Sequence, residues 1–182
     1  MRRNFPNLET AWKASPLDLL NAGLNEKIIE EIVILRRNIE PDALLEKIKA
    51  TDVSVVTIAD PAYPKLLKEI YNPPFVLYYK GNLAAANGQT IAVVGTRKFT
   101  HYGKNVATQI VTDLAKQNFC IVSGLAIGID SLAHLAAIKN SAPTIAVLAS
   151  GLDDENIYPS INRSLIKDIL AGGGLVVSEY PL

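Results

Sequence analysis

Ile91-Ala92-Val93-Val94-Gly95-Thr96-Arg97 and, about thirty residues later, Cys120-Ile121-Val122-Ser123-Gly124-Leu125-Ala126-Ile127-Gly128-Ile129-Asp130 decide the fold. In each stretch a short β-branched apolar run stops at glycine, and a helical pattern follows within a few residues. That is the grammar of a parallel sheet, whose strands are buried on both faces and whose carboxyl ends hold ligands. Glycine lets a backbone come close to a ligand, and amides at the next helix start favour an anion. An arginine directly after the first glycine turns the expectation toward phosphate.

Outward from these junctions the pattern is regular. Strands are expected at 91–95, 119–123, 144–149 and 174–178, alternating with helices near 103–117, 130–140 and 161–171. Alternation at this spacing implies right-handed β-α-β crossovers. Gly172-Gly173-Gly174 ends the last helix and frees the chain for the final strand. The fold class is α/β, a Rossmann-like parallel sheet with flanking helices behind a small all-helical domain. Three parts are expected: a helical domain at 1–52, a connecting extension at 53–88 with two strands packed on the sheet, and the Rossmann-like domain at 89–182.

In the first part, Ser15-Pro16 starts a helix, Gly23 ends it, and Asn25 caps a second whose stripe is Ile28, Ile29, Ile32, Val33 and Leu35. Pro41 opens a third. The turn at Leu20 to Leu24 reads either as a plain helical turn or as a weak helix-hairpin-helix. In the extension, 53–58 and 75–79 read as strands joined through Asp60-Pro61-Ala62-Tyr63-Pro64, and Gly81 to Gln89 as a loop.

The 182 residues are 49% hydrophobic and 20% charged, ordinary for a globular chain, and no apolar run approaches the roughly 18 residues of a membrane span. Asn7, Glu9 and Lys13 interrupt any secretory apolar core, so a cytoplasmic protein is expected. The single Cys120 rules out an internal disulfide framework and sits in an apolar strand as a core residue. Net charge is zero, but unevenly spread. Residues 89–140 carry five basic side chains against two acidic, and residues 141–182 carry two against five. The basic surplus falls on the glycine junctions, where local field matters most to a polyanion.

Nicotinamide-binding units want G-x-G-x-x-G and an acidic residue closing the second strand. Here the first turn runs Gly95-Thr96-Arg97-Lys98 to Gly103, and the second strand closes in Ser123-Gly124. Both requirements fail, and no phosphate-loop motif G-x-x-x-x-G-K-[ST] occurs. What remains is a phosphate mouth: a hydroxyl on Thr96, a planar fork on Arg97, and further groups on Ser123, Gly124 and Gly128. Lys98 and Lys104 either add steering charge or are solvated surface. Asp130 is expected to cap the helix that follows. His134, one turn on, supports the loop or makes one phosphate contact. A Ser123–Asp130–His134 triad lacks a nucleophile elbow and oxyanion arrangement, so no catalytic residue is assigned. Ser150-Gly151-Leu152 opens a third junction. Tyr158 there either stacks on a base or forms only a rigid turn with Pro159. One cysteine and two distant histidines (His101, His134) give no metal spacing, and no cofactor is expected.

Val93-Val94-Gly95-Thr96-Arg97, Tyr102-Gly103, Ser123-Gly124-Leu125-Ala126-Ile127-Gly128-Ile129-Asp130 with His134, Ser150-Gly151-Leu152, Tyr158-Pro159 and Ser178-Glu179-Tyr180-Pro181 together resemble the DNA-processing protein A (DprA/Smf) family. Upstream, Tyr63-Pro64, Pro73-Pro74, Leu77-Tyr78 and Gly81 fit the segment before that family's Rossmann-like domain, and the start resembles its sterile-alpha-motif-like domain. The resemblance implies a non-enzymatic protein of natural transformation that binds and protects incoming single-stranded DNA and helps load the RecA recombinase. It implies that Gly95, Thr96, Arg97, Ser123, Gly124 and Gly128 hold backbone phosphate. In the family the Rossmann-like domain continues beyond the Ser-Glu-x-Pro motif, so the sheet is expected to be incomplete at Leu182 and the usual homodimer surface to lie outside this chain. The runner-up is a lysine-decarboxylase-like nucleotide phosphoribohydrolase. Its P-G-G-x-G-T-x-x-E element is missing, since Gly172-Gly173-Gly174 leads into Leu175-Val176.

Overall fold

A computed structural model describes residues 4–181. Its contacts divide the chain into two compact units, one ending at Ala50 and one beginning at Thr51.

The first unit holds four helices: α1 (Leu8–Lys13), α2 (Pro16–Asn21), α3 (Glu26–Asn38) and α4 (Pro41–Lys49). Local capping explains their starts. Ser15 and Asp18 form a reciprocal capping box at α2, and the Asn25 side chain accepts from the Ile28 amide at α3. Gly23, at φ +90°, makes the turn between them. The expected stripe on α3 is narrower than its sequence suggests. Ile29 is buried with Leu19 and Ala14, and Ile32 and Val33 are half-buried, while Ile28 and Leu35 stay exposed. α1 was not foreseen. Arg36 secures its end, donating to the carbonyls of Ala14 (2.6 Å) and Ala11 (2.7 Å) while lying 5.7 Å over the Trp12 ring.

The second unit is built on six strands: β1 (Ser54–Thr57), β2 (Val76–Gly81), β3 (Thr90–Ala92), β4 (Cys120–Ser123), β5 (Thr144–Leu148) and β6 (Leu175–Ser178). Between them lie α5 (Lys65–Lys68), α6 (His101–Lys116), α7 (Ile129–Lys139) and α8 (Arg163–Ala171), with 3₁₀ turns at Leu83–Asn87 and Ser160–Asn162. The sheet order is β1-β2-β6-β5-β4-β3. β3 through β6 are parallel, and β2 joins β6 antiparallel, with β1 antiparallel to β2. The strands of the connecting extension are therefore hydrogen-bonded into the sheet, continuing it past β6, rather than lying on a face.

Successive parallel strands step one way across the sheet, so right-handed crossovers put all three long helices on one side. Side-chain alternation agrees. Ile121, Ala146 and Val176 pack among α6, α7 and α8. Cys120, Ile145, Leu175 and Val177 face Leu83, Ala85 and Ala86 of the 3₁₀ turn. Cys120 is a core residue, and burial pushes its thiol up to about 11. Among the described residues no helix is long and apolar enough to cross a membrane.

β3 is shorter than expected. Pairing continues only as far as the Val93 amide, which donates to the Val122 carbonyl at 2.9 Å, and the chain then leaves the sheet at Val94-Gly95. At the other end, Gly81 (φ +92°) lies against Gly174, where an added Cβ would run into the Gly174 carbonyl oxygen and sit 2.6 Å from Leu170. Gly81→Ala should therefore destabilise the chain by more than about 1 kcal/mol in urea unfolding, since strain and backbone overlap add. An unchanged midpoint would show that this approach relaxes freely.

Candidate nucleic-acid interface

The loops after β3, β4 and β5 meet at one end of the sheet, and Asp130 joins two of them. Its carboxylate accepts from the Gly95 amide (3.3 Å) and the Gly124 amide (3.1 Å). Asp130 does not cap α7 as expected. Gly128 is the N-cap, with no side-chain cap bond, and Asp130 reaches sideways from the first turn into both glycine loops. Ser123 adds a second tie, donating to the Val93 carbonyl at 2.7 Å. A third comes from Asn162, whose side chain donates to the Leu125 carbonyl at 2.8 Å and pulls the β5 loop toward the β4 loop.

The glycines earn their places by close packing. A Cβ on Gly95 would stand 2.8 Å from the Ile129 side chain, and one on Gly124 2.9 Å from the Asp130 carboxylate. Gly128 (φ +106°) passes beneath the β3 loop, where a Cβ would strike the Thr96 carbonyl oxygen and lie 2.7 Å from the Arg97 Cα. Leu125 takes φ +58° without being glycine, and its fully buried side chain holds that strained turn in the core.

Several expectations for the mouth are corrected. Gly95 and Gly124 face outward, but their amides already serve Asp130. Ser123 and Gly128 are buried, and the Ser123 hydroxyl is spent on Val93. The Thr96 hydroxyl is also occupied, donating to the Lys98 carbonyl and accepting from the Lys98 amide. That turn holds Arg97 at its tip.

What does line the mouth is a pocket of about 160 Å³. Arg97 stands on one wall, Gly124, Ala126 and Ile127 on the second, and Ser150, Tyr158 and Pro159 on the third. Arg97 is exposed and forms no hydrogen bond or ion pair with any described residue. The backbone amides of Arg97, Ala126 and Ile127 are likewise without a partner among the described residues. Tyr158 is 72% exposed. Lys98 and Lys104 are exposed and lie outside the pocket. Ala126 and Ile127 were not singled out from sequence, because nothing in an apolar loop residue marks its amide as unpaired.

His134 is fully buried. Its Nδ1 lies 2.7 Å from Thr144 Oγ1, which itself donates to the Ile121 carbonyl at 2.7 Å. The Thr144 proton being used, Nδ1 carries the hydrogen and donates, which leaves Nε2 without a partner among the described residues. With Ser123 bonded to Val93 and His134 to Thr144, no triad is formed. No cluster of metal-ligating side chains occurs among the described residues.

A sequence profile of the family described as DNA recombination-mediator protein A matches residues 54–182. The chain belongs to the DNA recombination-mediator protein A family. It is 43% identical to the Synechocystis Protein Smf across its whole length, covering 46% of that relative. It is 34% identical to the Bacillus subtilis DNA processing protein DprA, with 93% of this chain aligned to 59% of that one. The chain thus spans about half the length of these members of the family. The solved structure of DNA processing protein A from Streptococcus pneumoniae superposes with a TM-score of 0.75 at 34% identity, over 91% of this chain and 56% of that chain. A Helicobacter pylori DNA processing protein A structure, described for its single-stranded DNA binding mode, gives 0.59 at 32% identity over 71% of this chain and 56% of its own.

Burial pushes the His134 imidazole down from 6.5 to about 4, against an opposing pull from Asp130. Because the folded value is depressed, the unfolded chain binds this proton first. Stability is then at its full value above pH 6.5 and falls as pH drops toward 4, by about 3 kcal/mol over that window. His134→Leu should flatten that part of the stability–pH curve in urea titrations. A slope that persists in the variant would assign it elsewhere. Asp130→Ala, which strands two amides, should cost about 2–4 kcal/mol by the same measurement.

Proposed function

We propose that this chain binds the sugar-phosphate backbone of single-stranded DNA at the mouth formed by the β3, β4 and β5 loops, as part of a non-enzymatic recombination mediator of natural transformation that hands the strand to RecA. One observation carries the reading: an exposed guanidinium with no partner among the described residues stands over a pocket at the carboxyl ends of three parallel strands. The hydrogen-bonded turn fixes the backbone that carries Arg97, whose planar fork offers two parallel donors to phosphate oxygens. The neighbouring amides of Ala126 and Ile127 supply more donors. Tyr158 supplies a ring face on which a base stacks, and Lys98 adds charge at the rim.

The supporting contrast is the larger hollow in the helical unit, about 860 Å³ beside α1. Glu9 and Asp18 lie on its rim, and its one lysine, Lys13, is paired with Glu9 at 2.6 Å. The described lining thus offers a polyanion no unpaired cation. The Helicobacter pylori protein is described as binding single-stranded DNA, and the same ligand is the simplest occupant for this mouth.

Binding of a fluorescent oligothymidylate should weaken with salt, the log–log slope being about −0.7 for each phosphate neutralised. Arg97→Ala should weaken it by roughly tenfold, the loss of one charge-assisted contact, and reduce that slope by about 0.7 without unfolding the chain. Affinity that ignores salt, or an Arg97→Ala chain that binds as well as the parent, would count against this mouth. Release of free base from nucleoside monophosphates would instead favour the phosphoribohydrolase reading.

A further inference from the structure

We propose that the loop before α6 and its first turn carry a second contact for the same strand: an aromatic platform of Phe99 and Tyr102, flanked by Lys98 and Lys104, on which bases stack after the chain leaves the Arg97 pocket. This rests on the reading of that pocket and extends it along the surface.

The segment Arg97-Lys98-Phe99-Thr100-His101-Tyr102-Gly103-Lys104 interleaves cations with rings. Tyr102 is 77% exposed and Phe99 39% exposed, and both lysines are exposed. Neither lysine side chain has a hydrogen bond or ion pair with a described residue. Isolated exposed apolar side chains are commonplace. Two rings within four positions, bracketed by unpaired cations and adjoining a free arginine, form a pattern that a solvated helix start does not require.

Charge supports one occupant. No acidic residue occurs between Glu69 and Asp113, so the segment lies in the longest anion-free run of the chain. A polyanion is attracted along it, and a basic peptide is not. A strand without a complementary partner presents both phosphate and base faces, which is what cations beside rings recognise. A duplex hides its base faces in the stack.

The platform is also stiff. The Thr96 hydroxyl fixes the turn through Lys98, and the Thr100 hydroxyl accepts from the Gly103 amide at 3.1 Å as the cap of α6. His101 Nδ1 lies 3.2 Å from Asn105 Nδ2 of the side chain one turn on. Stacking therefore demands little ordering of the backbone, and each ring has only two side-chain torsions to fix.

Binding of an oligothymidylate long enough to overrun the pocket, followed by anisotropy across a salt series, tests this on the full chain. Phe99→Ala with Tyr102→Ala should weaken binding by roughly tenfold or more while leaving the salt slope unchanged, because stacking releases no counterions. Phe99→Leu with Tyr102→Leu should not rescue it, whereas Phe99→Tyr with Tyr102→Phe should. That comparison stands even where the alanine pair unfolds. Lys98→Gln with Lys104→Gln should lower the slope by about 1.4. Ring variants that bind as tightly as the parent, with Arg97→Ala still impaired, would overturn the platform and leave the pocket standing. A parent chain that does not bind the oligonucleotide would overturn both.

Discussion

A single carboxylate organises the end of the sheet. Asp130 accepts amide hydrogens from Gly95 and Gly124, which belong to loops leaving two adjacent parallel strands. Loops at the carboxyl end of such a sheet have no ladder to hold them, and their backbone donors must be satisfied somehow. Here an anion from the protein itself satisfies them. The surrounding glycines are the consequence. Gly95, Gly124 and Gly128 let Ile129, Asp130 and the Thr96–Arg97 backbone come within distances that no side chain would allow.

This arrangement bears on where the proposed strand would sit. Amides that serve a buried carboxylate are not available to phosphate, and a second negative charge placed in the same cradle would be repelled. The remaining donors are Arg97 and the unpaired amides of Ala126 and Ile127, one layer further out, beside Tyr158. The proposed strand therefore lies across the outside of the stapled loops rather than in the glycine cradle. Rigidity and the proposed recognition are divided: Asp130, Ser123 and Asn162 fix the loops, and the exposed groups are left for the proposed strand.

Much of this was legible in the sequence, and the parts that were not share a cause. β-Branched runs ending in glycine placed β3 through β5, and the Gly172-Gly173-Gly174 run placed the start of β6, because those signals are local, and Ser15, Asn25 and Gly23 marked helix ends for the same reason. The length of β3 was misjudged because Val94 is apolar and β-branched yet 72% exposed, as the chain there dives toward α7. The entry of β2 into the sheet beside β6, with β1 paired to its other edge, depends on a partner about a hundred residues away, which no local pattern encodes. In the mouth, three residues singled out by type, Arg97, Gly124 and Tyr158, line one pocket. Residue type did not say which polar groups were already spent. Ser123 and Thr96 look like free hydroxyls in sequence, and only their partners, Val93 and Lys98, show otherwise.

The most direct test is an amide NMR titration of the full chain with an oligothymidylate. Early, salt-sensitive shifts should fall on Arg97, Ala126 and Ile127, while Gly95 and Gly124, already bonded to Asp130, move little. Large shifts at Gly95 and Gly124 with Arg97 unmoved would contradict the outer seat and return the phosphate to the glycine cradle.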